Sequence, residues 1–250
     1  MKKLLERKNM PWIVLGLGVL GYLLRTGLYA AAVDEKGLLL RGHPLEWALW
    51  LLAALTGVLV PVFVRKLDGS NKYEHNFGPS GIGAWFTGLF ALLGVGGTVL
   101  LEGPGMTRLE LAGFVCGVLA AGTLIRAAVL RRRGSKPSFL PYCILCVYLA
   151  LYMINHYRLW SGDPQLMDYV FQLFAVIFLT LFAYQQSAFC LGLGDRRTLL
   201  TAGLLGTFAC AVSMSGSLLS AMGLLWCLTN LCSLEPVPPE PEEPAEEESL

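Results

Sequence analysis

The sequence predicts an all-α fold, a polytopic membrane bundle of about eight transmembrane helices joined by short loops. Three observations predict it. Hydrophobic residues make up 55% of the 250 and charged residues 15%, with a mean hydropathy of +0.58. A soluble domain carries about 25% charged residues, so this chain cannot cover its surface with polar groups, and most of it must meet lipid. Apolar runs recur at close to the ~20 residues that a helix needs to cross hydrocarbon. Between those runs, basic residues collect in every second loop. The net charge of +1 averages over that unevenness and gives no reason to expect nucleic acid as a partner.

The first span is the apolar run 11–32, which follows Lys2, Lys3, Arg7 and Lys8 directly. The start resembles a secretory signal, with Ala30, Ala31 and Ala32 as a small-residue cleavage site. Arg25 interrupts the run, however, and the run exceeds a usual signal core, so it is read as a retained span. Span two covers 45–64 and stops at Arg65 and Lys66; the connection 65–80 is the longest inside the chain. Span three, 81–101, ends at the turn Glu102-Gly103-Pro104-Gly105, and span four, 109–130, runs into Arg131, Arg132 and Arg133. Spans five and six are 139–160 and 165–191, a hairpin closed by a short polar turn.

The stretch 198–234 contains no charged residue. As one helix at ~1.5 Å per residue it would outrun the bilayer. The sequence Ser213-Met214-Ser215-Gly216-Ser217 breaks it, which gives spans seven and eight. Residues 1–234 therefore form the bundle, and 235–250, rich in proline and glutamate and without apolar periodicity, forms a disordered acidic tail. Alternation puts the bases of 1–8, 65–72, 131–136 and 196–197 on one face, which the positive-inside rule makes cytoplasmic. Both ends of the chain are then expected on the cytoplasmic side of a cell membrane. Short loops of this kind are common in bacterial multi-pass proteins and name no activity.

Gly16-x-Gly18-x-x-Gly21 spells the dinucleotide fingerprint, which requires a strand before its first glycine. Here the glycines sit inside a membrane run, so close helix packing is the reading. Gly113, Gly117 and Ala121 form a second small-residue stripe, where a helix of this chain or of another copy in a homo-oligomer approaches closely. Seven cysteines lie in or beside apolar runs, so no outer disulfide framework is indicated. Cys143, Cys146 and Cys190 reach a similar depth, but three thiols without a fourth ligand speak for packing first and thiol chemistry a distant third. No phosphate loop, paired-histidine zinc motif or serine elbow is present, so neither a cofactor, a metal nor a catalytic residue is expected.

The hairpin 139–191 concentrates polarity at membrane depth: Asn155, His156, Asp168, Gln172, Gln185 and Gln186. Polar groups left unsatisfied in hydrocarbon cost several kcal/mol each, so this hairpin is expected to face the bundle interior and organise it. Arg25, Asn155, His156, Asp168 and Gln172 fall in one leaflet, with Glu46, Glu102 and Glu110 near the same rim. Ionisable groups at such depth are functional candidates and usually have a partner; Arg25 and Asp168 are the expected pair. Tyr148, Tyr152 and Asn155 follow at i, i+4 and i+7, a stripe read as helix packing. The leading expectation is a pocket for a small solute, lined by Arg25, Asn155, His156, Asp168 and Gln172, in a binding or transport-associated membrane subunit. The competing expectation is a non-catalytic scaffold or sensor that meets a cytoplasmic protein partner through its acidic tail.

Overall fold

The computed structural model describes residues 9–32, 42–67, 69–74, 76–77, 81–105, 107–160 and 169–234. These residues form eight helices and no strand: α1 (Met10–Ala31), α2 (Pro44–Val64), α3 (Gly81–Glu102), α4 (Arg108–Arg132), α5 (Leu140–Trp160), α6 (Val170–Leu191), α7 (Arg196–Ser213) and α8 (Leu218–Cys232). The first six are long and apolar enough to cross a bilayer, and α8 is a shorter apolar helix. Large side chains such as Trp47, Leu51, Val58, Leu100 and Leu101 stay exposed on the outside of the bundle. An apolar exterior of this extent needs lipid to cover it. The chain is a multi-pass membrane protein.

Local chemistry sets the helix ends. His43 accepts from the Leu45 amide at 3.3 Å just before Pro44, which opens α2. Thr107 and Glu110 form a reciprocal capping box at the start of α4, with bonds of 3.3 and 3.0 Å. Asp195 accepts from the amides of Arg197 and Thr198 at 3.2 and 3.0 Å and starts α7. Gly192, at φ +78, takes the left-handed turn that ends α6. The expected break in 198–234 falls at Met214–Gly216, between the end of α7 and the Ser217 cap of α8.

Helix α7 is the hub. It packs on α6, α1, α8 and α2, and all but three of its 18 residues are buried. Its partner α8 fills the space between α7 and α3. The sequence expectation that the hairpin 139–191 organises the bundle is therefore corrected: α6 packs on the α7–α8 hairpin, and α5 lies outside it against α4 and α6. The reason is side-chain size. Gly203 is so closely approached that a Cβ there would lie 2.8 Å from Phe182 and 2.9 Å from Leu231, and one at Gly223 would lie 2.8 Å from Leu179. Small, uncharged faces admit neighbours on every side, whereas the polar hairpin keeps lipid-facing residues such as Val147, Ile154, Leu181 and Tyr184. At ~1.5 Å per residue α7 and α8 are about 27 and 22 Å long, short of the ~30 Å of hydrocarbon. Protein, rather than lipid, surrounds them.

Within α3 the segment Phe90–Gly96 is wound as a π-helix. A π turn holds one extra residue, so the helix beyond it is rotated by about 100° relative to an unbroken α-helix. Phe90 stacks on Trp226 of α8 at 4.5 Å, and Gly94 and Gly97 lie against Met222 and Leu218 of the same helix. The widened turn lets Val99 and Glu102 face α4 and α5 instead.

Bases gather at one end of the bundle. Arg131, at the end of α4, bonds Asn230 and Ser233 at the end of α8, and Arg197 donates to the Leu67 carbonyl at 2.9 Å. The α3–α4 and α7–α8 turns lie at the opposite end. The expected tail 235–250 and the candidate Asp168 lie outside the described residues.

Candidate functional site

At the end opposite the arginines, the last turn of α3, the first turn of α4 and the C-terminal half of α5 enclose a cavity of about 300 Å³. Its wall includes Val99 and Glu102 of α3, Glu110 and Gly113 of α4, and Tyr148, Tyr152, Asn155 and His156 of α5. Each helix contributes for a local reason. Glu102 lies beyond the π segment at the end of α3, its side chain half exposed at the cavity, and Gly103, at φ +69, then bends the chain away. The capping box fixes the Glu110 carboxylate at the mouth of α4. Gly113 and Gly117 let α5 come close: a Cβ at Gly113 would lie 3.2 Å from Asn155 Nδ2, and one at Gly117 would lie 2.8 Å from the Tyr148 ring.

His156 joins the groups together. Its Nε2 lies 3.3 Å from Glu102 Oε1, its Nδ1 lies 3.0 Å from the Tyr152 carbonyl, and its ring stacks on Tyr152 at 3.8 Å. Tyr148 follows one turn earlier, 6.1 Å from the Tyr152 ring. Tyr148 is only 3% exposed, and its hydroxyl has no hydrogen-bond partner. A buried hydroxyl without a partner costs about 1–3 kcal/mol, so a stable protein normally supplies one. The site thus offers a carboxylate, an imidazole, an amide, an unsatisfied hydroxyl and two aromatic faces. That set suits hydrogen bonding to a small polar molecule.

The sequence candidates divide. Asn155 and His156 line the cavity. Arg25 and Gln172 instead meet the α7–α8 turn: Arg25 Nη1 donates to the Val212 carbonyl at 3.2 Å and its guanidinium lies 5.6 Å from the Tyr29 ring, while Gln172 abuts Gly216. Asp168, and with it the expected pairing to Arg25, falls outside the described residues. Glu102, Glu110, Tyr148 and Tyr152 are wall residues that the candidate set omitted. The signals were present, since the tyrosine stripe has helical spacing and the two glutamates flank the same rim.

The stripe Gly113, Gly117 and Ala121 faces α5 and α3 of the same chain, which leaves no need for a second copy on that face. Cys143 Sγ lies 3.1 Å from Ser187 Oγ and Cys146 Sγ donates to the Thr180 carbonyl at 3.6 Å. All seven cysteines are free, and the described residues hold no cluster of three or more metal-ligating side chains. A groove of about 330 Å³ between α2, α6 and α7 is lined by Trp50, Phe171, Phe178, Leu205 and other uncharged residues, and suits a lipid chain better than a polar solute. Compared with models of protein families, with curated proteins and with solved structures, the chain matches none.

Proposed function

We propose that the cavity at Glu102, Tyr148, Asn155 and His156 binds a small polar solute, and that the protein serves as a solute-binding or transport-associated membrane subunit. The observation that carries this reading is the Tyr148 hydroxyl, buried in the cavity wall without a partner. A solute with a donor or acceptor at that point would satisfy it. Glu102 would draw an amine or hydroxyl donor to the same space, and Asn155 could accept or donate beside it. Positive-inside bias puts the arginine end in the cytoplasm, so the cavity opens near the outer face, with both termini inside. Arg25 and Gln172 meet the end of α7 and the α7–α8 turn, which closes the bundle beside the cavity.

The test is thermal stabilisation of the purified protein by a panel of amines, amino acids, sugars and polyols. A solute at about a hundred times its Kd stabilises by ~2.7 kcal/mol. The expected result is a concentration-dependent rise in Tm with one chemical class, lost in Asn155→Leu. A panel without effect, or a rise that survives Asn155→Leu, Tyr148→Phe and Glu102→Gln alike, would remove the cavity from consideration.

A further inference from the structure

The arginine end carries a second crevice, of about 150 Å³, bordered by Tyr73, Phe77, Arg131, Ser135 and Lys136, with Glu74 also on its wall. We propose that this crevice is a binding site for a phosphate-type oxyanion, presented by an anionic lipid headgroup or free in solution. The cavity at the opposite end plays no part in it, so either site can fail without the other.

Arg131 carries most of the weight. It is only 3% exposed, yet among the described residues no carboxylate lies within ion-pair distance of it. Its two terminal nitrogens bond neutral oxygens, those of Asn230 and Ser233, and its guanidinium lies 5.1 Å from the Phe77 ring. Its Nε is buried and bonds nothing. A guanidinium stays charged under all ordinary conditions, and a buried charge without a counter-charge is strongly unfavourable. The C-termini of α4 and α8 offset part of it, at about half a unit each. Lys136 adds a second cation, with Nζ 5.8 Å from the Tyr73 ring, and Arg65, Lys66, Lys72, Arg132 and Arg133 raise the potential around it. The exposed Glu74 does not cancel that surplus.

The crevice is built rather than loosely bordered. Phe77 packs edge-on against Phe189 of α6 at 5.4 Å, which holds the loop on the bundle, and the fully buried Asn76 donates to the Lys72 carbonyl at 2.8 Å within the loop. Burial raises the Tyr73 hydroxyl to a pKa of about 12, so it remains a neutral donor instead of a competing anion. Arg131, Lys136, Tyr73 and Ser135 border a volume of roughly five waters at ~30 Å³ each, which admits one tetrahedral oxyanion. Basic crevices of this kind between transmembrane helices sit at the depth of anionic headgroups in the cytoplasmic leaflet.

The experiment uses the full-length protein in detergent. Melting is followed against short-chain phosphatidylglycerol, short-chain phosphatidylcholine and inorganic phosphate, all at one ionic strength. Phosphatidylglycerol should raise Tm and phosphatidylcholine should not. An equal rise with inorganic phosphate assigns the site to free oxyanions, and a rise with phosphatidylglycerol alone assigns it to a headgroup. Lys136→Gln, an exposed change that leaves the core intact, should weaken the effect about fivefold. Arg133→Gln removes the same charge outside the crevice and should weaken it less than about twofold. Equal losses in the two variants would mean only a diffuse surface potential, and no shift with either anion would mean no site; both results overturn the proposal. Arg131→Gln alone would not decide it, because the residue also ties α4 to α8.

Discussion

Tyr148 is where one atom has the most to say. The residue borders the cavity, its hydroxyl is buried and unpartnered, and its ring fills the notch over Gly117. Tyr148→Phe keeps the ring and removes the cost of the unsatisfied oxygen. The empty protein should therefore melt at the same temperature or up to several degrees higher, since ~1 kcal/mol of recovered desolvation lies within the range for such groups. Differential scanning fluorimetry without added solute measures this. A clear drop in Tm would mean that the hydroxyl already has a partner in the resting protein, and would leave the cavity without its strongest mark. Gly117→Ala attacks the same contact from α4. Its Cβ has no room against Tyr148 and Val99, so a loss of ~1–3 kcal/mol is expected from overpacking, read from folded yield and Tm.

Helix α1 shows what its glycine motif does. A Cβ at Gly18 would lie 2.7 Å from Ala211, and one at Gly21 would lie 2.7 Å from Val212, whereas nothing lies within 4 Å of a Cβ at Gly16. The second and third glycines of the motif hold α1 against α7, and the first faces open space. Gly18→Leu and Gly21→Leu should each lower Tm and folded yield sharply, and Gly16→Leu should be tolerated. Equal sensitivity at all three positions would show that the first glycine meets a partner too. The start of α7 carries a pH dependence of its own. Burial opposes ionisation of Asp195, but hydrogen bonds from the Thr198 side chain and from the Thr198 and Arg197 amides, with the Arg197 charge, outweigh it and hold the carboxyl below its ordinary value. A depressed folded pKa makes this contribution complete above the unfolded value of about 3.9 and lost as pH falls through the folded one. Asp195→Ala should cost ~1 kcal/mol at neutral pH, and the difference from wild type should shrink as the solution is acidified. A gap that stays constant down to pH ~2 would assign the loss to something other than the carboxylate.

For the whole molecule, the decisive property is the number of crossings. Contacts at both ends show that α7 and α8 run along the bundle and back: Gln172 meets the α7–α8 turn, and Arg131 meets the far end of α8. If these two cross along with the six long apolar helices, eight passages bring the chain back to the side from which it started. A reporter fused after Leu250 should then be active on the same side as one fused before Met1, and positive-inside bias makes that side cytoplasmic. Opposite sides would mean an odd number. The bundle is closed by contacts among α1 to α8, so deletion of 236–250 should leave Tm in detergent unchanged; a fall would show that the tail docks.

The sequence by itself determined the class, the helix limits and the ends of the bundle, because hydropathy and capping act locally. Spans read at 45–64 and 81–101 became Pro44–Val64 and Gly81–Glu102, and the break inside 198–234 fell at the predicted serine-rich turn. It also placed Asn155 and His156 at the rim where the cavity lies, because polar residues at membrane depth stand out against an apolar background. Tertiary structure decided what lies at the centre and which polar residues meet. The hub is α7, whose small residues are inconspicuous in composition yet admit four neighbours. The π segment of α3 gave no periodic signal, and it is what turns Glu102 toward His156. Hydropathy fixes the depth of a residue in a membrane, but not its azimuth around the helix axis. That angle follows from how close neighbouring backbones can approach, and it is what assembled Glu102, Tyr148 and His156 at one end and Arg131 with Lys136 at the other.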